Sequence, residues 1–246
     1  MSFVEHTFTW RAAPLFPSHY LIDFMKLRAS LATLIFLTLV VGDQIIKYLV
    51  KTGMSLGERI HVTDWFYILF TENHGMAFGM DFIGTAVLSV FRVAAIVLFT
   101  VVLVKQIRRG APLGFVACLT LIIAGAFGNI IDNFFYGLCF TESLPYTPGA
   151  SPAHCVQMGE GYGSFLHGRV VDMFYFPFFT WPDWVPVLGG GTFFGAIFNL
   201  ADSAISVGAA AMLLFYYKYL SVLMGGEKTT EPSPEITTEE EEKQAR

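Results

Sequence analysis

Charge is scarce in this chain: Asp, Glu, Lys and Arg make up only 14% of its 246 residues, against about 25% in an ordinary soluble domain. No glycine-rich nucleotide loop, no Cys-x-x-Cys and no His-Glu-x-x-His is present, and the six histidines are scattered. These absences exclude a phosphate-cradling loop and the usual zinc spacings, so no metal and no cofactor is expected. There is no basic face either, which leaves a nucleic-acid partner without support. The net charge of −5 says nothing about a basic partner, because much of it sits in the tail 225–246 with its acidic run 239–242. That tail is too polar to build a core and is expected to be disordered. Cysteine is rare as well, with three residues. Cys118 reads as a small apolar packing residue, whereas Cys139 and Cys155 share one connection and could be bridged or free.

What the chain has in abundance is apolar surface, with 54% hydrophobic residues and 25 Phe. Four apolar stretches are long enough to cross a hydrocarbon layer of about 30 Å, which takes roughly 20 helical residues: 29–50, 85–107, 112–136 and 193–217. The fold class expected is an all-α integral membrane protein with four transmembrane helices. An outer-face segment joins helices 1 and 2 (about 51–83), and a long outer-face insertion joins helices 3 and 4 (137–192). Lys26, Arg28, Lys105, Arg108, Arg109 and Lys218 flank the spans on one side, so both termini are expected in the cytoplasm. The domain reading is a membrane unit over 25–222 and a cytoplasmic tail over 223–246. Residues 1–24 lack the layout of a cleaved signal peptide; they read as an over-extended gene start or a peripheral segment.

Against this background the few buried polar groups carry the information. At about 1.5 Å rise per residue, Asp43 lies roughly 21 Å along the first span, Asp132 near the outer end of the third and Asp202 about 14 Å into the fourth. All three occupy the outer half. Span two has Arg92 as its one ionisable residue between 83 and 105 and reads as a lipid-facing or packing helix. Asp43 and Lys47 are four apart on one helix face, where an ion pair neutralises both. Asn129 and Asp132 are three apart, with Gly125 and Gly128 on the same side allowing close backbone approach. Asn199 and Asp202 repeat that spacing. Each Asn can donate to a carboxylate and accept elsewhere. Plain hydrogen bonding between helices accounts about as well for each of these taken singly, and Asp172, in the stretch 169–176, could be a turn carboxylate. If Asp172 and Asp202 approach closely, repulsion in a low dielectric makes them share one proton, the arrangement of an aspartic protease.

Five separated motifs then carry a resemblance to the lipoprotein signal peptidases, or signal peptidase II, over about 25–217. They are Asp43-Gln44-x-x-Lys47; Asn73-His74-Gly75-Met76-Ala77-Phe78-Gly79; Gly125-Ala126-Phe127-Gly128-Asn129-Ile130-Ile131-Asp132; Val170-Val171-Asp172-Met173-Phe174; and Phe198-Asn199-Leu200-Ala201-Asp202-Ser203-Ala204. The resemblance implies that Asp172 and Asp202 are the catalytic pair and that Asp43, Lys47, Asn73, Gly75, Gly125, Asn129, Asp132 and Asn199 are supporting or substrate-binding positions. It implies an aspartic endopeptidase of the bacterial inner membrane, acting as a monomer. Its partners would be diacylglyceryl-modified prolipoproteins, cut before the lipidated cysteine, and membrane lipid. Two departures stand out: Asn133 where the family usually has Arg, and the long connection 137–168, which could cap the site or be a decoration. Arg169 could take over part of the missing guanidinium's role. A small proton or ion transporter is the rival; it requires polar groups through the full membrane thickness. A presenilin-like protease is disfavoured because Val40-Val41-Gly42-Asp43 lacks the first glycine of Gly-x-Gly-Asp, and an inactive scaffold is the third alternative.

Overall fold

The computed structural model describes residues 18–73, 85–223 and 225. Its frame is four long helices: α1 (Ser18–Gly53), α2 (Thr85–Arg108), α3 (Leu113–Ile131) and α5 (Leu200–Leu223). Each contains an apolar window long enough to cross a membrane. α3 is the central one. It packs on α1, α2 and α5, and 61% of its window is buried, against 6% for α2. Small residues permit this, and the tightest approach of an α3 glycine to backbone is at Gly125, where a Cβ would overlap the carbonyl oxygen of Ala201 on α5. Toward one end α3 widens into a π-helical turn, Asp132–Tyr136, and closes with a short α4, Gly137–Cys139. Such a turn holds one more residue than an α turn and re-aims the side chains that follow it.

Two span boundaries differ from the sequence expectation. α1 is already helical at Ser18, so residues 18–24, expected to lie outside the membrane unit, continue the first helix. The fourth helix begins at Leu200, not at 193, because 193–198 is paired as strand. An apolar aromatic run satisfies hydropathy equally as strand or helix, and length alone cannot separate the two. Asp202 therefore lies in the first turn of α5 and not two to three turns inside a span. The tail beyond 225 and the segment 74–84 lie outside the described residues.

At the end of the bundle where α1 and α3 finish sits a small antiparallel sheet of order β1-β2-β3-β6. Its strands are β1 (Arg59–Thr63), β2 (Phe66–Asn73), β3 (Val170–Tyr175) and β6 (Ile197–Phe198). The all-helical expectation thus needs correction, since the connections contribute sheet. β4 (Phe179–Thr180) and β5 (Thr192–Phe193) form a separate hairpin. The register sets Thr71 opposite Asp172, Asn73 opposite Val170, and Phe174 opposite Phe198. One face of the sheet is pinned to the helices by Val50, Met54, Phe70, Tyr136, Phe140, Val171 and Met173. Beyond the sheet an aromatic stack continues, with Phe66 on Phe176 at 4.6 Å and Phe179 on Phe193 at 4.7 Å between ring centres.

The connection 140–169 is fastened by a buried polar cluster. Lys51 Nζ donates to Glu72 Oε1 at 2.5 Å and to Ser143 Oγ at 3.0 Å, and Arg169 pairs with Glu72 at 3.2 Å and with Glu142. Arg169 is therefore engaged in holding this connection. Cys139 and Cys155 lie on adjacent segments, with the Val156 amide donating to the Cys139 carbonyl at 2.9 Å, and both are free thiols.

Candidate active site

Lys47 organises the polar interior. It is fully buried, and its ammonium donates to Asp43 Oδ2 and Asp132 Oδ2, each at 2.9 Å, and to Asn129 Oδ1 at 2.8 Å. Three donors meet three acceptors, which is the condition for placing a lysine in an apolar interior. The expected Asp43–Lys47 pair is present, and Lys47 also reaches across to α3. Asp43 uses its other oxygen to accept the Ala201 amide at 2.9 Å, one of the otherwise unpaired N–H groups at the start of α5. A Cβ at Gly128 would come within 2.7 Å of Asp43 Oδ2, so glycine is required where α3 passes this carboxylate. Asp132 accepts from Gln44 Nε2 at 2.9 Å and from the Val171 amide at 3.2 Å, which fixes β3 one residue before Asp172.

Asn199 and Asp202 are not partners along a helix face, as their spacing alone reads. They form a capping box at the start of α5. The Asp202 amide donates to Asn199 Oδ1 at 2.9 Å and the Asn199 amide to Asp202 Oδ2 at 3.4 Å, the reciprocal bonds that satisfy a helix N-terminus. The side-chain amide of Asn199 is left to face β3, donating to Asp172 Oδ1 at 2.7 Å, Asn129 Oδ1 at 3.1 Å and the Val171 carbonyl at 3.3 Å. Asn129 Nδ2 donates to Asp202 Oδ1 at 2.7 Å. Asp172 and Asp202 are thus each held by an asparagine amide, and the two asparagines are bonded to each other. Asp172 is 3% exposed, and burial, then the charge of Asp202, pushes its carboxyl up to about 7. A carboxyl of that kind can hold or release a proton near neutrality.

The structure therefore brings together Asp43, Lys47, Gly125, Asn129, Asp132, Asp172, Asn199 and Asp202. Asn73, the last residue of β2, is paired alongside β3, and Gly75 lies outside the described residues. Among the described residues no three His, Cys, Asp or Glu side chains converge as a metal site. Sequence reasoning passed over Gln44 as a site residue, although it stands inside the first motif. It also read the second span as a lipid-facing or packing helix and gave its Arg92 no site role, whereas Arg92 NH1 donates to Asn133 Oδ1 at 2.5 Å. A lone arginine within a span was the available signal, since such a charge has to face the protein interior.

The profile of signal peptidase (SPase) II matches residues 35–218. The chain belongs to the signal peptidase II family. It is 46% identical over 216 residues to a lipoprotein signal peptidase of Porphyromonas gingivalis, a match covering 86% of this chain and 92% of that one. With the lipoprotein signal peptidase of Amoebophilus asiaticus it shares 33% identity, over 71% of this chain and 72% of the other. A solved structure described as a bacterial membrane enzyme determined by the in meso method at 1.9 Å shares the fold, with a TM-score of 0.51 and 24% identity over 76% of this chain and 92% of that one. This signal peptidase II family member is accordingly a multi-pass membrane peptidase, and the transporter reading has no support. The Asp and Lys side chains buried within its described spans gather at one end of the bundle, around Lys47.

Proposed function

We propose that the protein is an aspartic endopeptidase that removes the signal peptide from diacylglyceryl-modified prolipoproteins, cutting before the lipidated cysteine with Asp172 and Asp202 as its catalytic pair. Removal of signal peptides from prolipoproteins follows from family membership; the paired-aspartate chemistry is added on the geometry. The observation that carries it is the double asparagine bridge, Asn199 to Asp172 and Asn129 to Asp202, with one carboxyl able to stay protonated near neutrality. One carboxylate takes a proton from water as the water oxygen bonds to the scissile carbonyl carbon. The other carboxyl gives its proton to the carbonyl oxygen, forming a diol. Collapse of the diol breaks the C–N bond, and a proton passes to the leaving nitrogen, which becomes the amino group of the lipidated cysteine. The pair titrates as a unit.

Asp43, Lys47, Asn129, Asp132 and Asn199 hold the pair in this reading, and Asn73 and Gly75 are assigned to substrate binding on the strength of their motif. The signal helix enters from lipid, with the diacylglyceryl chains lying on apolar helix surfaces. The site faces the outer side of the inner membrane and both termini the cytoplasm. In support, Arg28 is bonded to the carbonyls of Ala111 and Gly110 at the opposite end of the bundle, and Arg108 and Arg109 adjoin that connection, as the positive-inside rule requires. Trp65, Trp184 and the aromatic hairpin suit the membrane interface.

The test is cleavage of a diacylglyceryl-modified prolipoprotein by purified wild type, Asp172→Asn and Asp202→Asn, with folding checked in detergent. Wild-type activity with a loss of at least a thousandfold in both folded variants is expected; cleavage retained by either removes the pair assignment.

A further inference from the structure

Arg92 is the one ionisable side chain of α2 before Lys105, and its cost in a hydrocarbon layer demands a partner inside the protein. That partner is Asn133, fully buried in the π turn next to Asp132. Asn133 accepts from Arg92 NH1 at 2.5 Å and donates through Nδ2 to the Gly168 carbonyl at 2.8 Å, four residues before Asp172. Because Asn133 is neutral, it seats the guanidinium without cancelling its charge. The acidic groups that feel this charge are Asp202 first, then Asp132 and Asp172.

The other charged groups at this end are accounted for. From α1 come Asp43 and Lys47, from the π turn Asp132, from β3 Asp172 and from α5 Asp202. Lys47 is shared between Asp43 and Asp132, while Lys51 and Arg169 are paired with Glu72 and Glu142 in the neighbouring cluster. Lys47 also acts on Asp172 but is committed to Asp43 and Asp132, and Arg59 is stacked on Tyr67; Arg92 forms no ion pair among the described residues, and its charge acts on both members of the aspartate pair.

We propose that Arg92 is a positioning residue for the peptidase reaction, seated by Asn133 so that its charge decides which carboxyl of the pair keeps the shared proton. The proposal rests on the paired-aspartate reading. A positive charge that acts more strongly on Asp202 than on Asp172 favours the arrangement with the negative charge on Asp202 and the proton on Asp172. Asp202 then takes the proton from the attacking water, and Asp172 supplies its own to the carbonyl oxygen. In a partly dehydrated site one nearby charge shifts such an equilibrium by about tenfold or more.

The experiment compares pH–rate profiles for prolipoprotein cleavage by purified wild type, Arg92→Lys, Arg92→Gln and the double variant Arg92→Gln/Asn133→Arg. Loss of the cation makes both carboxyls hold protons more tightly. Arg92→Gln is therefore expected to lower kcat by about tenfold or more, with KM within about twofold, and to move the acid limb up by about one pH unit. Arg92→Lys is expected to keep the wild-type limb. The double variant, which returns a guanidinium to the position that Asn133 occupies, is expected to recover at least about tenfold in kcat over Arg92→Gln. A folded Arg92→Gln with the wild-type profile overturns the proposal. So does a fall in Arg92→Lys equal to that in Arg92→Gln, with no recovery in the double variant, which assigns Arg92 to packing alone. If Arg92→Gln does not fold, an unshifted limb in Arg92→Lys and in the double variant supports the proposal, and a shifted one overturns it. Failure of the underlying reading shows separately, as cleavage retained by Asp172→Asn or Asp202→Asn.

Discussion

Asp172 lies on a buried strand, where burial and then the charge of Asp202 penalise its charged form, while the side-chain amide of Asn199 directed at one of its oxygens offsets part of that penalty. Its folded-state value of about 7 stands above the reference 3.8. The sign follows from linkage: the group favours the folded state below its unfolded value, and that contribution is lost as the pH rises through about 7. Asp172→Asn removes the titration while an amide oxygen can still accept from Asn199. The variant should be more stable than wild type by about 1–3 kcal/mol at pH 8, with little difference at pH 4. Thermal unfolding in detergent at the two pH values measures this; an equal gain at both would assign the effect to packing. The same residues show what the sequence discloses. The Asp43–Lys47 pair is local, four residues apart on one helix, and was readable. The bonds from Lys47 to Asp132 and from Asn199 to Asp172 close long stretches of chain that no spacing reports. Asp172 stood out only as a carboxyl in an apolar stretch.

α3 shows how an element's composition becomes geometry. Its glycines were legible as a close-packing face, and Gly125 is where the backbone of α5 comes nearest. Gly125→Ala forces α3 and α5 apart at the level of Ala201, and the cost expected is about 1–3 kcal/mol, with cleavage falling as well because Ala201 adjoins Asp202. Denaturation in mixed micelles alongside a cleavage assay checks both; an alanine variant with wild-type stability and activity would show that the helices have slack there. The four spans were recognisable from length and hydropathy because an apolar helix of membrane length has few alternatives. The sheet was not, since the apolar runs of β3 and β6 resemble membrane or interfacial segments. The misplaced start of α5 hid the capping box, and with it the reason Asn199 lies between the two aspartates.

At the scale of the whole molecule, basic residues at one end and the buried acid cluster at the other define a polarity, which was visible in the sequence as the distribution of Lys and Arg. Membrane topology can be tested with the native thiols. Cys155 is exposed beside the sheet and Cys118 is buried in α3. A membrane-impermeant maleimide added to intact cells after outer-membrane permeabilisation should label Cys155 and spare Cys118. Labelling of Cys155 only in inverted vesicles would reverse the proposed orientation.

The bond from the Ala201 amide to Asp43 joins residues 158 apart in sequence, and the asparagine bridge likewise draws on α3 and α5. Closing such distant contacts comes late in assembly, because the loop entropy has to be overcome before they form. The first helix enters the membrane with Asp43 and Lys47 already neighbours; Asn129 and Asp132 follow with α3 and its π turn and Asp172 with β3, and Asn199 and Asp202 come only with the start of α5. On the proposed assignment of Asp202 to the catalytic pair, the nascent polypeptide is inert toward neighbouring signal sequences until α5 docks.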